Sequence, residues 1–275
     1  TGLADAGFAA VRPDGFPGHQ GLIAALRRGE TAIWDDLMAE VRVSRCRTAI
    51  LSCENMLFPM EADRDALLAQ VFDGLSGFGS VSVVAFARRP DVWAEMFYRE
   101  LVCNAHRQGA RAIDEFLVDY ADRLTDFPGL FQPFETFSGQ PVALIDHDAS
   151  ARDGLHWQRF LQASGLAGRL PLRLPEVPEA LYPTPDRDQV QAARLVCSMI
   201  SQQDMRQAVM RAFFAAAPSG SVKMSLMPPA ARLALLDKFA ARSSGFAAAR
   251  GYAPDLEALR QQLRDEAWVA PGALP

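Results

Sequence analysis

Residues 81–102, VSVVAFARRPDVWAEMFYRELV, constrain the fold more than any other stretch of the chain. Residues 81–87 carry no charge and mix small with β-branched apolar side chains, as a strand buried on both faces does. Arg88 and Arg89 stand where that strand ends. Pro90 suits the first turn of a helix, where its missing N–H would have no partner. Asp91 places a carboxylate near the positive end of the same helix. Val92, Trp93, Met96, Phe97 and Leu101 give it a broad apolar face. In an open α/β sheet, ligands bind beyond the carboxyl ends of the strands. Two guanidinium groups at that point suit a phosphate or sulfate, because Arg offers planar, forked donors. Ion pairing on the surface is the other reading of the two arginines, and the residues alone leave both open.

The same alternation recurs on either side. TAILSC (48–53) reads as a strand running into Glu54, a carboxylate placed to take a proton from an attacking hydroxyl or to order a loop. PVALID (141–146) reads as a third strand, delivering Asp146, His147 and Asp148. Adjacent residues on an extended chain point to opposite sides, so these three are not expected to serve one centre. Helical spacing predicts helices over 19–28, 31–43, 63–75, 91–107, 111–125 and 153–165. Strand and helix in alternation imply parallel crossovers and an α/β sheet. Residues 126–138, with Phe127, Phe131, Phe134, Phe137 and two prolines, read as an irregular packing loop, or else as a wall for an acceptor. Residues 9–20 read as a Pro/Gly loop ending near His19, a candidate base or phosphate donor.

The expected organisation is an α/β core over 1–169, a proline-rich linker over 170–186 and a helical region over 187–275 packed on the core. Helices there are marked by Val190, Ala193, Cys197 and Ile200, by Leu233, Leu236 and Phe239, and by Leu256, Leu259 and Leu263. The net charge of -5 and the lack of a basic tract argue against general nucleic-acid binding. No apolar run approaches the roughly 20 residues that span a bilayer, and no secretory signal is visible, so a cytoplasmic location is expected. The four cysteines and four histidines are dispersed without metal-ligand spacing, and no zinc site is expected. TGLADAGF at the start resembles the last turns of a helix closing on Gly7, as in a processed or trimmed chain.

Four segments, taken in order, resemble bacterial sulfotransferase-like proteins of the P-loop nucleotide-binding fold. AILSCENM (49–56) is similar to the family's second strand and its Ser-x-Glu motif, here Ser52 and Glu54. VSVVAFARRPDVWAEMFYRE (81–100) resembles the segment that binds the donor's 3′-phosphate, with its Arg-x-Pro-x-Asp or Arg-Arg-x-Asp pattern. PVALIDHD through FLQASGL (141–166) resembles the next strand and helix, and 223–252 the carboxyl-terminal helices. The resemblance implies a three-layer α/β/α fold with a mostly parallel central sheet. It implies transfer of a sulfuryl group from 3′-phosphoadenosine 5′-phosphosulfate to a hydroxyl of a carbohydrate or other small acceptor. Arg88 would then hold the donor phosphate with Arg89 beside it. Glu54 would be the general base, and His19 a second candidate.

Two departures bear on that reading. The family's opening strand and phosphate-cradling loop have no counterpart here and are expected upstream of Thr1. Eight residues after Arg88 the pattern has Ser, and this chain has Met96, whose thioether cannot donate to a phosphate. A lost charge-assisted bond weakens donor binding by about 1.5–3 kcal/mol, or more than tenfold. A degenerate homologue that serves as a binding or scaffold protein is therefore a second expectation. A glycosyltransferase using a nucleotide donor is a third.

Overall fold

The computed structural model describes residues 8–9, 20–44, 48–57, 63–169, 185–216 and 225–268. Its strands are β1 (Phe8–Ala9), β2 (Thr48–Ala49), β3 (Val84–Ala87) and β4 (Ala143–Asp146). Its helices, in chain order, are α1 (Gln20–Arg27), α2 (Ala32–Ser44), α3 (Arg64–Gly74), α4 (Pro90–Cys103), α5 (Ile113–Thr125), α6 (Phe127–Ser138), α7 (His147–Asp153) and α8 (His156–Ala163). They continue with α9 (Arg187–Met199), α10 (Gln203–Ala216), α11 (Pro229–Arg242), α12 (Ser244–Ala248) and α13 (Leu256–Asp265). The chain is α/β and mostly helical. No helix among the described residues is long and apolar enough to cross a membrane. His19, Cys46 and residues 170–184 of the expected linker lie outside the described residues.

The chain divides into two compact units. The first comprises Thr1–Ala87 and Pro128–Pro175; the second comprises Arg88–Phe127 and Glu176–Pro275.

In the first unit β3 and β4 pair in parallel, from Val84 against Ala143 to Ala87 against Asp146. A separate parallel pair joins β1 to β2, Phe8 against Thr48 and Ala9 against Ala49. Parallel pairing is what the strand–helix alternation predicts. The expected strand at 48–53 narrows to its first two residues. Leu51, Cys53 and Met56 cover a core made by Leu22, Ile23 and Leu26 of α1, Trp34, Leu37 and Val41 of α2, and Leu67 and Val71 of α3. Ile50 packs on Leu161 and Leu166 around α8. Trp34 crosses α3 at Gly74, where a Cβ would stand 2.3 Å from the indole.

The stretch at 126–138 is helical, against the expectation of a loop. Phe127, Leu130, Phe131 and Phe134 are all buried, at the i, i+3, i+4, i+7 spacing of one helix face. Pro128 falls in the first turn, where it costs nothing, and Pro133 is accommodated within the helix. The reading as a loop gave the two prolines too much weight against that spacing. Glu135 of α6 accepts from the Val142 backbone N–H at 2.9 Å, and Phe137 stacks on Phe72 at 5.7 Å.

The second unit is helical. Phe97 and Tyr98 of α4 pack on Phe116 and Tyr120 of α5. The Tyr98 hydroxyl donates to the Arg111 carbonyl at 2.7 Å. Asp186 caps α9 by accepting from the Gln189 N–H, and Gln189 returns the bond to the Asp186 N–H. Buried Arg206 donates to the carbonyls of Ala105, Ile200 and Ser201, gathering the turn between α9 and α10. Helix α10 was not foreseen; only Met210 and Arg206 of it are buried, which leaves a faint apolar stripe.

Candidate functional site

The strand–turn–helix at 84–103 carries the arginines. Arg89 is extended (φ -53°, ψ 134°) and precedes Pro90, the first residue of α4. Its guanidinium forms a forked pair with Asp91, Nε to Oδ1 at 3.1 Å and a terminal nitrogen to Oδ2 at 2.6 Å. Asp91 is fully buried. Arg232 of α11 donates to the same Oδ2 and also grips Glu266, at 3.0 and 2.7 Å to its two oxygens. Two cations and two anions thus alternate in one chain of charge-assisted bonds. For Arg89 the ion-pair reading describes the geometry. Arg88, next before it, is half-buried. Met96, one and a half turns into α4, is 36% exposed. Nearby, Glu95 pairs with buried Arg99 at 2.7 Å and accepts from the Ser225 hydroxyl at 2.5 Å.

In the first unit, Glu54 opens a 3-10 turn (Glu54–Leu57) after β2, and its side chain is exposed. The carboxyl end of β4 is more heavily built. Asp146 accepts from the Ala149 N–H at 2.8 Å and so caps α7. Gly154, at φ 67°, ends that helix in the left-handed region and lets α8 start at His156. Arg159 of α8 reaches back to Ser150 and Asp153 of α7, at 2.9 and 2.6 Å. The two helices are thus joined, and the imidazoles of His147 and His156 meet edge to face with ring centroids 4.8 Å apart. Phe86 of β3 lies 5.4 Å from the His156 ring and 6.3 Å from that of His147.

The sequence reading singled out His147 and passed over His156. The signal that joins them is the glycine at 154, which ends a helix too short to carry the chain away from β4. Asp148 stays beside His147, its Oδ1 3.6 Å from Nδ1, while Asp146 turns to its cap. Among the described residues no group of three or more metal-ligating side chains gathers.

Thiol chemistry finds little support at Cys103 and Cys197. Burial pushes the Cys103 thiol up to about 11 and raises that of Cys197 too, so both stay protonated near neutral pH. No protein-family model, curated protein or solved structure matches this chain.

Proposed function

We propose that this chain is a sulfotransferase-like protein with the three-layer P-loop arrangement, acting in the cytoplasm. It moves the sulfuryl group of 3′-phosphoadenosine 5′-phosphosulfate to a hydroxyl of a carbohydrate or other small acceptor. The acceptor oxygen attacks sulfur, the bond from sulfur to the phosphate oxygen breaks, and 3′-phosphoadenosine 5′-phosphate leaves. Arg88 holds the donor's 3′-phosphate, and Glu54 takes the acceptor's proton.

The observation that carries this reading is the turn between β3 and α4. A parallel strand gives way to a helix within two residues, and both are arginines. Asp91 engages Arg89, which fixes the turn. Arg88, the first Arg of the pattern, stands next to that braced turn and is half-buried. The amino end of α4 adds its positive dipole to that position.

Calorimetric titration with 3′-phosphoadenosine 5′-phosphate tests the proposal. Saturable binding is expected, weakened more than tenfold by Arg88→Ala. Absence of binding, or binding indifferent to Arg88→Ala, overturns it.

A second reading has its own observation. Met96 is partly exposed where the pattern places a phosphate-binding Ser. A fold that has lost donor binding and serves as a scaffold would account for that thioether, and failure of the titration would favour it.

A further inference from the structure

We propose that His147 and His156 form a two-imidazole site for one divalent transition ion of the zinc, cobalt or nickel class. Zinc–imidazole nitrogen bonds measure about 2.0–2.1 Å, which sets the centroids of two rings sharing one tetrahedral ion roughly 5 Å apart. The observed separation is 4.8 Å, with the ring planes 68° apart. Neutral imidazole suits these borderline ions.

Three further features fit the assignment. Asp148 stands 3.6 Å from His147 Nδ1. That is beyond hydrogen-bond length, and the carboxylate acts there as a nearby negative charge that favours a cation. The bonds from Arg159 to Ser150 and Asp153 tie α8 to the middle and end of α7, so the two helices that carry the pair are joined by groups that are not themselves ligands. The His147 side chain is 27% exposed, so an ion can reach it. Since no third metal-ligating side chain gathers among the described residues, the remaining coordination positions fall to water or to an oxygen of a bound molecule. Open positions of that kind distinguish reactive metal sites from structural ones. The proposal is independent of the sulfotransferase reading.

Cobalt(II) absorption and zinc calorimetry on the full chain test it. One ion per chain is expected. His147→Gln and His156→Phe are each expected to weaken binding by at least about tenfold, and Asp148→Asn by about tenfold. His156→Phe keeps a ring against Phe86, so it separates ligation from packing, and circular dichroism checks that each variant folds. His106→Gln and His19→Gln are expected to bind as the parent does. No saturable binding, binding that survives both His147→Gln and His156→Phe, or binding that follows His106 or His19 overturns the proposal.

Discussion

Arg232 reaches across 141 positions of sequence to Asp91, its Nε 3.1 Å from Oδ2. This contact ties the start of α4 to α11 through a carboxylate that no water touches. Removing the carboxylate takes from Arg89 and Arg232 the counter-ion they share, although Arg232 keeps Glu266. Asp91→Ala is therefore expected to cost about 3–5 kcal/mol, read from urea unfolding. Arg28→Ala, which breaks an exposed pair with Glu30, is expected to move the midpoint little. Equal effects would mean that the buried network is not what holds the turn.

The two neighbouring arginines are expected to differ in their effect on binding. Arg89→Ala should lower the unfolding midpoint, because it deprives buried Asp91 of a forked partner. Arg88→Ala should weaken nucleotide binding more than tenfold. Titration and urea unfolding of both variants check the two roles, and unchanged binding in Arg88→Ala would refute the ligand role.

Gly74 lies under the Trp34 indole. A Cβ there would stand 2.3 Å from a ring carbon, so Gly74→Ala is expected to cost about 1–3 kcal/mol through overpacking. Adding Trp34→Phe, which trims the ring, should recover part of the loss. Failure of the double variant to recover would place the cost elsewhere.

Glu54→Gln keeps size and polarity but cannot accept a proton. With a sulfuryl donor and an acceptor in hand, it should leave nucleotide affinity unchanged and remove turnover. Undiminished turnover would take Glu54 out of the base's role.

Alkaline pH should loosen the second unit in two stages. Burial raises the Cys103 thiol from 9.0 to about 11, and the Tyr98 hydroxyl from 10.0 to about 12. The unfolded chain gives up these protons first. Stability is full below pH 9, falls between about 9 and 11 as the thiol contribution is lost, and falls again between about 10 and 12. Thermal midpoints across that range check the sign. Cys103→Ala should flatten the lower part of the decline.

Most helices could be read from the sequence because their buried faces repeat at helical spacing, as in Ala94, Phe97, Tyr98 and Leu101. The strands of β3 and β4 could be read because uncharged runs end at charged residues. Local spacing failed at α6, where the proline content outweighed a regular set of phenylalanines. The sequence pointed to Arg88, Arg89 and Glu54 as site residues. It could not show that Asp91 binds Arg232 or that His156 turns back onto His147. Those contacts are made by chain reversals and by residues far apart in sequence, and no pattern within one element encodes them.

The parallel register of β3 with β4 also has a consequence in time. Val84 finds Ala143 only after the intervening chain has been made, including the whole of Arg88–Phe127, which belongs to the other unit. The first unit is thus discontinuous. A nascent chain that has emerged as far as Ala87 holds an unpaired apolar strand and must wait for residues 143–146. Closing so long a loop before its contacts are rewarded slows folding. During that wait the exposed edge of β3 is open to mispairing between chains.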